Sequence, residues 1–236
     1  MKNTREEIHK SKRLIRLSYD IEPGMPLYPE TPRTTVKNVR SIAAGDACNT
    51  LMATLSNHAG THIDGPKHFW NTGRPITGYS LDELIFNNVA IADCPKKAAA
   101  AIEIRDLLSL RRSPDADICL LRTNFSAHRT KNGALYSNKN PYLSAEAAMW
   151  LRGEFPGLRA VGIDCISISS RADRDEGKKV HKIILKKNGD GRSPILIVED
   201  MFIPRRPGRI ARIIVFPIFI KGADSAPCTV AGVLRD

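Results

Sequence analysis

Residues 58–70 read His58-Ala59-Gly60-Thr61-His62-Ile63-Asp64-Gly65-Pro66-Lys67-His68-Phe69-Trp70, placing three of the chain's six histidines beside one carboxylate. Imidazole nitrogen with carboxylate oxygen suits zinc, manganese, iron and similar divalent ions, and the lack of a nearby cysteine argues against a closed structural zinc site. The stretch therefore reads as an open, catalytic metal site. His58 and His62 stand four apart, but Gly60, Thr61, Ile63 and the Gly65-Pro66 pair disfavour a continuous helix. A loop entering a short extended piece is expected instead, with His62 and Asp64 on one side because strand side chains alternate. Gly60 lets the loop fold back so that His58 joins them. His68 follows the turn at Gly65-Pro66, which makes it the candidate for proton transfer and not a fourth ligand.

Residues 58–68 match all seven fixed positions of the pattern His-x-Gly-Thr-His-x-Asp-x-Pro-x-His. This resembles the signature of the cyclase family of metal-dependent hydrolases, which includes bacterial kynurenine formamidases and isatin hydrolases. The resemblance implies an α/β fold, one domain with a mixed β-sheet core of the swivelling β/β/α type. It also implies hydrolysis of a carbon–nitrogen amide bond in a small aromatic substrate. N-formylkynurenine, the arylformamidase substrate of tryptophan catabolism, is the leading candidate; a cyclic amide such as isatin is the alternative.

Upstream of the motif, Arg13–Tyr19 has strand character and Pro23-Gly24-Met25-Pro26 turns the chain into the loop Tyr28-Pro29-Glu30-Thr31-Pro32. This opening also resembles the family, except that Tyr28 stands where kynurenine formamidases usually carry Trp, and Glu30 where glycine usually follows the second proline. Tyr28 is thus a candidate substrate contact. Thr34–Ile42 and Asn49–Leu55 read as strands, the second leading into the histidine loop.

Downstream, Ser80 reads as the N-cap of a short helix and Val89–Asp93 as a buried strand. Glu103–Leu110 reads as a helix, and Ile118–Thr123 as an apolar strand covered on both faces. Arg122 and Thr123 close that strand, a position favoured for ligands in α/β proteins, so both are candidate substrate contacts; an arginine anchoring the fold by an ion pair is the equal alternative. His128 reads as a surface histidine. Ser144 caps a helix over Ala145–Arg152, Leu158–Ile168 is strand, and helices alternating with strands support an α/β fold.

His181 sits in a helically spaced apolar pattern, Val180–Leu185, and Glu199 ends the strand Ile195–Glu199. The resemblance implies that His181, at the start of such a helix, and Glu199 bind metal with His58, His62 and Asp64. Asp64 and Glu199 could bridge a pair of ions, and one or two zinc or manganese ions per chain remain open. The Lys186–Pro194 connection is longer than the family's usual link, and Val215–Pro227 matches its closing Gly222-Ala223-Asp224 and Ala226-Pro227 pattern.

An apolar share of 42% in 236 residues allows a sizeable core, read as one domain over 14–236 behind a polar, mobile arm over 1–13. No run approaches a membrane span, and the first residues lack the apolar stretch of a signal peptide, so a cytoplasmic protein is expected. The five cysteines are scattered and expected to be reduced. A net charge of +11 raises a basic nucleic-acid-binding module, with structural histidines, as the rival class. The basic pairs, such as Lys96-Lys97, Lys178-Lys179 and Arg205-Arg206, are separate and not interleaved with aromatics. Solvated surface or attraction of an anionic small-molecule substrate is the better reading, with no nucleic-acid or membrane partner. The resemblance implies a homodimer or homotetramer.

Overall fold

A computed structural model describes residues 14–186, 192–205 and 210–235. The arm expected over 1–13 lies outside the described residues, as do residues 187–191 of the Lys186–Pro194 connection. The chain runs through β1 (Leu14–Arg16), β2 (Thr35–Arg40), β3 (Thr50–Thr54), β4 (His62–Asp64), β5 (Ile85–Phe86), β6 (Val89–Asp93) and β7 (Ala101–Ile102). Helix α1 (Ile104–Leu107), β8 (Ile118–Arg122), α2 (His128–Lys131), α3 (Gly133–Asn138), β9 (Tyr142–Leu143) and α4 (Ala145–Glu154) follow. The last elements are β10 (Ala160–Ile163), α5 (Arg174–Ile184), β11 (Leu196–Glu199), β12 (Ile210–Pro217) and β13 (Ser225–Leu234). Among the described residues no helix is long and apolar enough to cross a membrane.

Nine strands form one mixed sheet in the order β5-β12-β13-β4-β11-β10-β8-β6, with β1 added on β13. From β5 to β11 the neighbours are antiparallel, and from β11 to β6 they are parallel. Packing of β12 back against β6 curls the sheet until it is nearly a barrel. This is the expected α/β class with a mixed sheet core.

The apolar run of β8 explains the layering. Ile118 and Leu120 point into the curl, where they meet Ile63, Val198, Ile213 and Val230. Cys119 and Leu121 point outward, under Leu151 of α4 and Val180 and Ile184 of α5. A strand covered on both faces has no polar side to show, so its sequence is continuously apolar.

Local departures from expectation have local causes. The expected strands before the histidine loop pair only with each other, as a ribbon β2–β3 whose Val39, Leu51 and Met52 are 61%, 63% and 55% exposed. The helix expected over Glu103–Leu110 is a single α-turn, closed by a reciprocal cap between Glu103 and Asp106, that tightens into a 3-10 stretch through Arg112. Ser80 caps a 3-10 turn at Asp82–Leu84, accepting from the Glu83 amide at 3.4 Å. The strand expected to reach Ile168 ends at Ile163, because the next residue, Asp164, turns in to accept the Thr123 and Asn124 amides at 2.8 and 2.9 Å. Helix α5 starts earlier than the resemblance implied: Asp173 accepts from the Glu176 amide at 3.0 Å and caps it, so His181 lies in the last turn and not the first.

Asp200, directly after Glu199, supports this end of β11. It adopts φ 51° and is fully buried, and its carboxylate accepts from Arg129 Nε and Nη2, both at 2.9 Å, and from Tyr136 Oη at 2.7 Å. Burial pushes its pKa up, against the lowering effect of Arg129. Its carbonyl accepts from Thr61 Oγ1 at 2.6 Å, which ties β11 to the histidine loop. Replacing Arg129 with Met strands that carboxylate and is expected to cost about 3–5 kcal/mol in urea unfolding, and a loss below about 1 kcal/mol would contradict the support.

Candidate metal centre

Strand β4 sits at the seam between the antiparallel and parallel halves of the sheet. Ile63 fills the inside of the curl, so alternation sends His62 and Asp64 to the opposite face, where they are 3% and 1% exposed. The antiparallel register sets Glu199 of β11 directly across from His62, with His62 Nε2 3.4 Å from Glu199 Oε2. Helix α5 covers this face with a buried stripe of Gly177, Val180, His181 and Ile184. The helix can come that close because residue 177 is glycine: a Cβ there would lie 2.5 Å from Ser169 Cβ. His181 Nε2 consequently reaches within 3.5 Å of Glu199 Oε1 and 3.9 Å of Asp64 Oδ2. His58 closes the set, its Nδ1 3.1 Å from Asp64 Oδ1.

Backbone carbonyls orient two of the rings. His62 Nδ1–H donates to Gly60 O and His181 Nδ1–H to Gly177 O, both at 2.9 Å, which turns each Nε2 toward the carboxylates. Gly60 makes the first contact possible with φ 66°, a conformation that glycine adopts without strain. Glu199 Oε1 accepts from Ser167 Oγ at 3.0 Å and from the Ile168 amide at 2.7 Å.

His62 Nε2 and both oxygens of Asp64 are buried without a hydrogen-bond partner among the described residues. Buried polar atoms are rarely left so, and three of them converging from imidazole and carboxylate is the donor chemistry of a divalent cation site. The donor atoms of His62, Asp64 and Glu199 lie within 4.8 Å of one another, as do those of His58, Asp64 and His68. The two groups share Asp64, so these residues fit one ion or a pair.

The imidazoles and carboxylates stabilise one another's charged forms. Burial would raise the Asp64 carboxyl, but the His62 and His58 imidazoles outweigh it and hold Asp64 well below the carboxylate range. Burial likewise opposes ionisation of Glu199, and the His181 and His62 hydrogen bonds still bring it down to about 2. For His58, burial is overcome by Asp224 and Asp64, which push it up to about 10. His62 and His181 also rise, burial again being outweighed by Asp64 and Glu199.

These groups line a cleft of about 420 Å³, a size suited to a small molecule. Phe69 stacks on His181 at 4.7 Å, and Tyr28 borders the same space. At the rim, Glu30 takes φ 75°, the conformation that favours glycine at this position, and pairs with Arg174 Nη2 at 2.7 Å; Lys178 lies beside them. A larger cleft of about 600 Å³, around Trp70, Arg74 and Arg159, holds no histidine.

The fold thus brings together His58, His62, Asp64, His68, His181, Glu199 and Tyr28. Two candidate substrate contacts stay outside the cleft. Arg122 pairs with Asp93 at 2.9 Å and donates to Pro204 O at 2.9 Å, the anchoring role that was its alternative. Thr123 is 1% exposed, its hydroxyl spent on Asp164 at 2.6 Å. His128 is half-buried, tilted against Phe125. One neighbour of the site had no role assigned from sequence: Asp224, whose Oδ2 lies 2.9 Å from His68 Nδ1 and 3.1 Å from His58 Nε2. The Gly222-Ala223-Asp224 signature was visible, but nothing in its spacing pairs residue 224 with residue 68.

The kynurenine formamidase of Erythrobacter litoralis is 24% identical to this chain over 221 residues, covering 92% of each. Cyclase-like protein 1 of Arabidopsis thaliana is 25% identical over 232 residues, 96% of this chain and 87% of the plant protein. Among solved structures, isatin hydrolase A from Labrenzia aggregata superposes with a TM-score of 0.79 at 18% identity over 94% of both chains, a shared fold. The Cyclase family model matches residues 15–170, which take in the whole histidine motif and strand β4, and this chain belongs to the cyclase family.

Proposed function

We propose that this chain is a metal-dependent hydrolase that cleaves a carbon–nitrogen amide bond in a small aromatic substrate, an arylformamidase acting on N-formylkynurenine. The observation that carries this reading is Asp64, buried with both oxygens unpartnered and ringed by three imidazoles and Glu199. His58, His62, Asp64, His181 and Glu199 would hold one or two zinc or manganese ions. A divalent ion in such a setting lowers the pKa of water from 15.7 to about 7 and polarises a carbonyl oxygen.

The chain's own groups supply the rest. His68, 27% exposed at the cleft, would take a proton from the attacking water and hand it to the leaving nitrogen. Tyr28 and Phe69, which line the same cleft, would flank an aromatic ring. Arg174 and Lys178 stand at the mouth, paired with Glu30 at 2.7 Å and Asp175 at 3.4 Å, and a substrate carboxylate would compete with those partners for them. A cyclic amide such as isatin is the second reading, because Tyr28 in place of the Trp usual in kynurenine formamidases and Glu30 in place of glycine leave the choice between a linear and a cyclic amide open.

Turnover of formyl anilides and cyclic imides, with zinc and manganese supplied separately, tests the reading. Activity is expected to vanish on chelation and return with metal; salt-sensitive retention of nucleic acid without any turnover would contradict it. Replacing His68 with Ala is expected to lower kcat by about 10²- to 10⁴-fold while the metal content stays near that of the unchanged protein. Loss of metal in step with activity would make His68 a ligand.

A further inference from the structure

We propose that Asp224 is a positioning residue that fixes the tautomers of His68 and His58 together, so that one carboxylate sets both the proton-transfer group and a metal ligand. This rests on the hydrolase reading for its catalytic consequence, while the tautomers themselves are a property of the folded chain.

Asp224 is held firmly where this requires. Its carbonyl accepts from the Gly65 amide at 2.9 Å, and the next residue, Ser225, pairs in register with Asp64. The start of β13 is therefore stapled to the end of β4, and the Asp224 side chain is carried over the histidines. Oδ1 accepts from Asn57 Nδ2 at 2.7 Å. Oδ2 faces His68 Nδ1 at 2.9 Å and His58 Nε2 at 3.1 Å, between rings whose centroids are 4.3 Å apart.

A carboxylate can only accept, so both ring nitrogens facing it carry hydrogen. Neutral His68 is then the Nδ1–H form, and its lone pair lies on Nε2, the nitrogen left to take a proton from water. His58 keeps its hydrogen on Nε2 toward Asp224, and its Nδ1, 3.1 Å from Asp64 Oδ1, has a lone pair to give only where a cation shared with Asp64 would take the place of a hydrogen between them. The same hydrogen-bond acceptor therefore makes one imidazole a base and the other a ligand. Such partners of a metal-binding histidine orient the ring and raise its basicity. Asn57 completes the arrangement by occupying Oδ1, which keeps Oδ2 turned to the rings.

Asparagine at 224 would break this logic without changing shape. If its amide nitrogen took the place of Oδ1, it would meet the Asn57 amide donor. If it took the place of Oδ2, both imidazoles would have to become acceptors there, moving the His68 hydrogen to Nε2. The paired change Asn57→Asp with Asp224→Asn removes the conflict, because the amide at 224 can donate to the carboxylate at 57 and still turn its oxygen to both rings.

The direct test is the tautomer of His68, read by long-range ¹H–¹⁵N correlation in the zinc-loaded protein. The unchanged chain is expected to show Nδ1–H, Asp224→Asn to lose it, and the paired variant to recover it. At saturating zinc, Asp224→Asn is expected to lower kcat by about 10- to 100-fold with little change in KM, and the paired variant to regain part of that loss. An Nε2–H tautomer in the unchanged chain overturns the inference even if no variant folds. So does an Asp224→Asn protein with undiminished kcat. Absence of chelator-sensitive turnover in the unchanged chain removes the hydrolase reading alone, and the spectrum still decides the tautomer.

Discussion

The constraint behind this structure is the burial of Asp64. Moving a carboxylate out of water costs several kcal/mol unless charge and hydrogen bonds replace the lost hydration. Here neither oxygen is hydrogen-bonded, and the compensation comes from imidazoles on three sides. A stability-optimised fold would place an apolar residue or a donor at such a position; one kept with bare oxygens makes sense when a cation completes it.

The architecture serves that demand. Strand β4 is only three residues long, yet it is held on both sides, by β11 and by β13. Ile63 locks it into the barrel core, so the flanking His62 and Asp64 cannot rotate away. Thr61 anchors the entry, accepting from the Tyr19 amide at 3.0 Å and donating to Asp200 O. Across the seam, Glu199 and His181 arrive on elements whose positions are set by apolar packing of Ile197, Val180 and Ile184. Precision at the site is thus borrowed from the core, which is where rigid support for ligands is most economically obtained.

How much of this was legible in the sequence divides along physical lines. The loop-then-strand geometry of 58–64 could be read directly, because glycine, proline and side-chain alternation are local rules. The both-faces-buried character of β8 was equally plain from four apolar residues in succession. Glu199 is different: its partnership with His62 depends on a strand register 137 positions away in the chain, which local pattern does not encode and only the family resemblance suggested. Arg122 illustrates the limit of a positional rule, since its strand end does face a ligand-friendly side, yet Asp93 and the 204–205 backbone claim the guanidinium. Asp224 was overlooked because a carboxylate in a loop has no periodicity to betray it. The start of the helix holding His181 is not legible locally, because the cap at Asp173 precedes six polar or small residues that carry no apolar rhythm.

The central claim is that residues from the early loop and the late helix and strand share a cation. Crystals grown with manganese and measured at its absorption edge examine it directly. The account expects an anomalous peak within about 2.0–2.3 Å of His62 Nε2 and of oxygens from Asp64 and Glu199. A protein that fills with manganese elsewhere, with no anomalous peak among these donors, would contradict it.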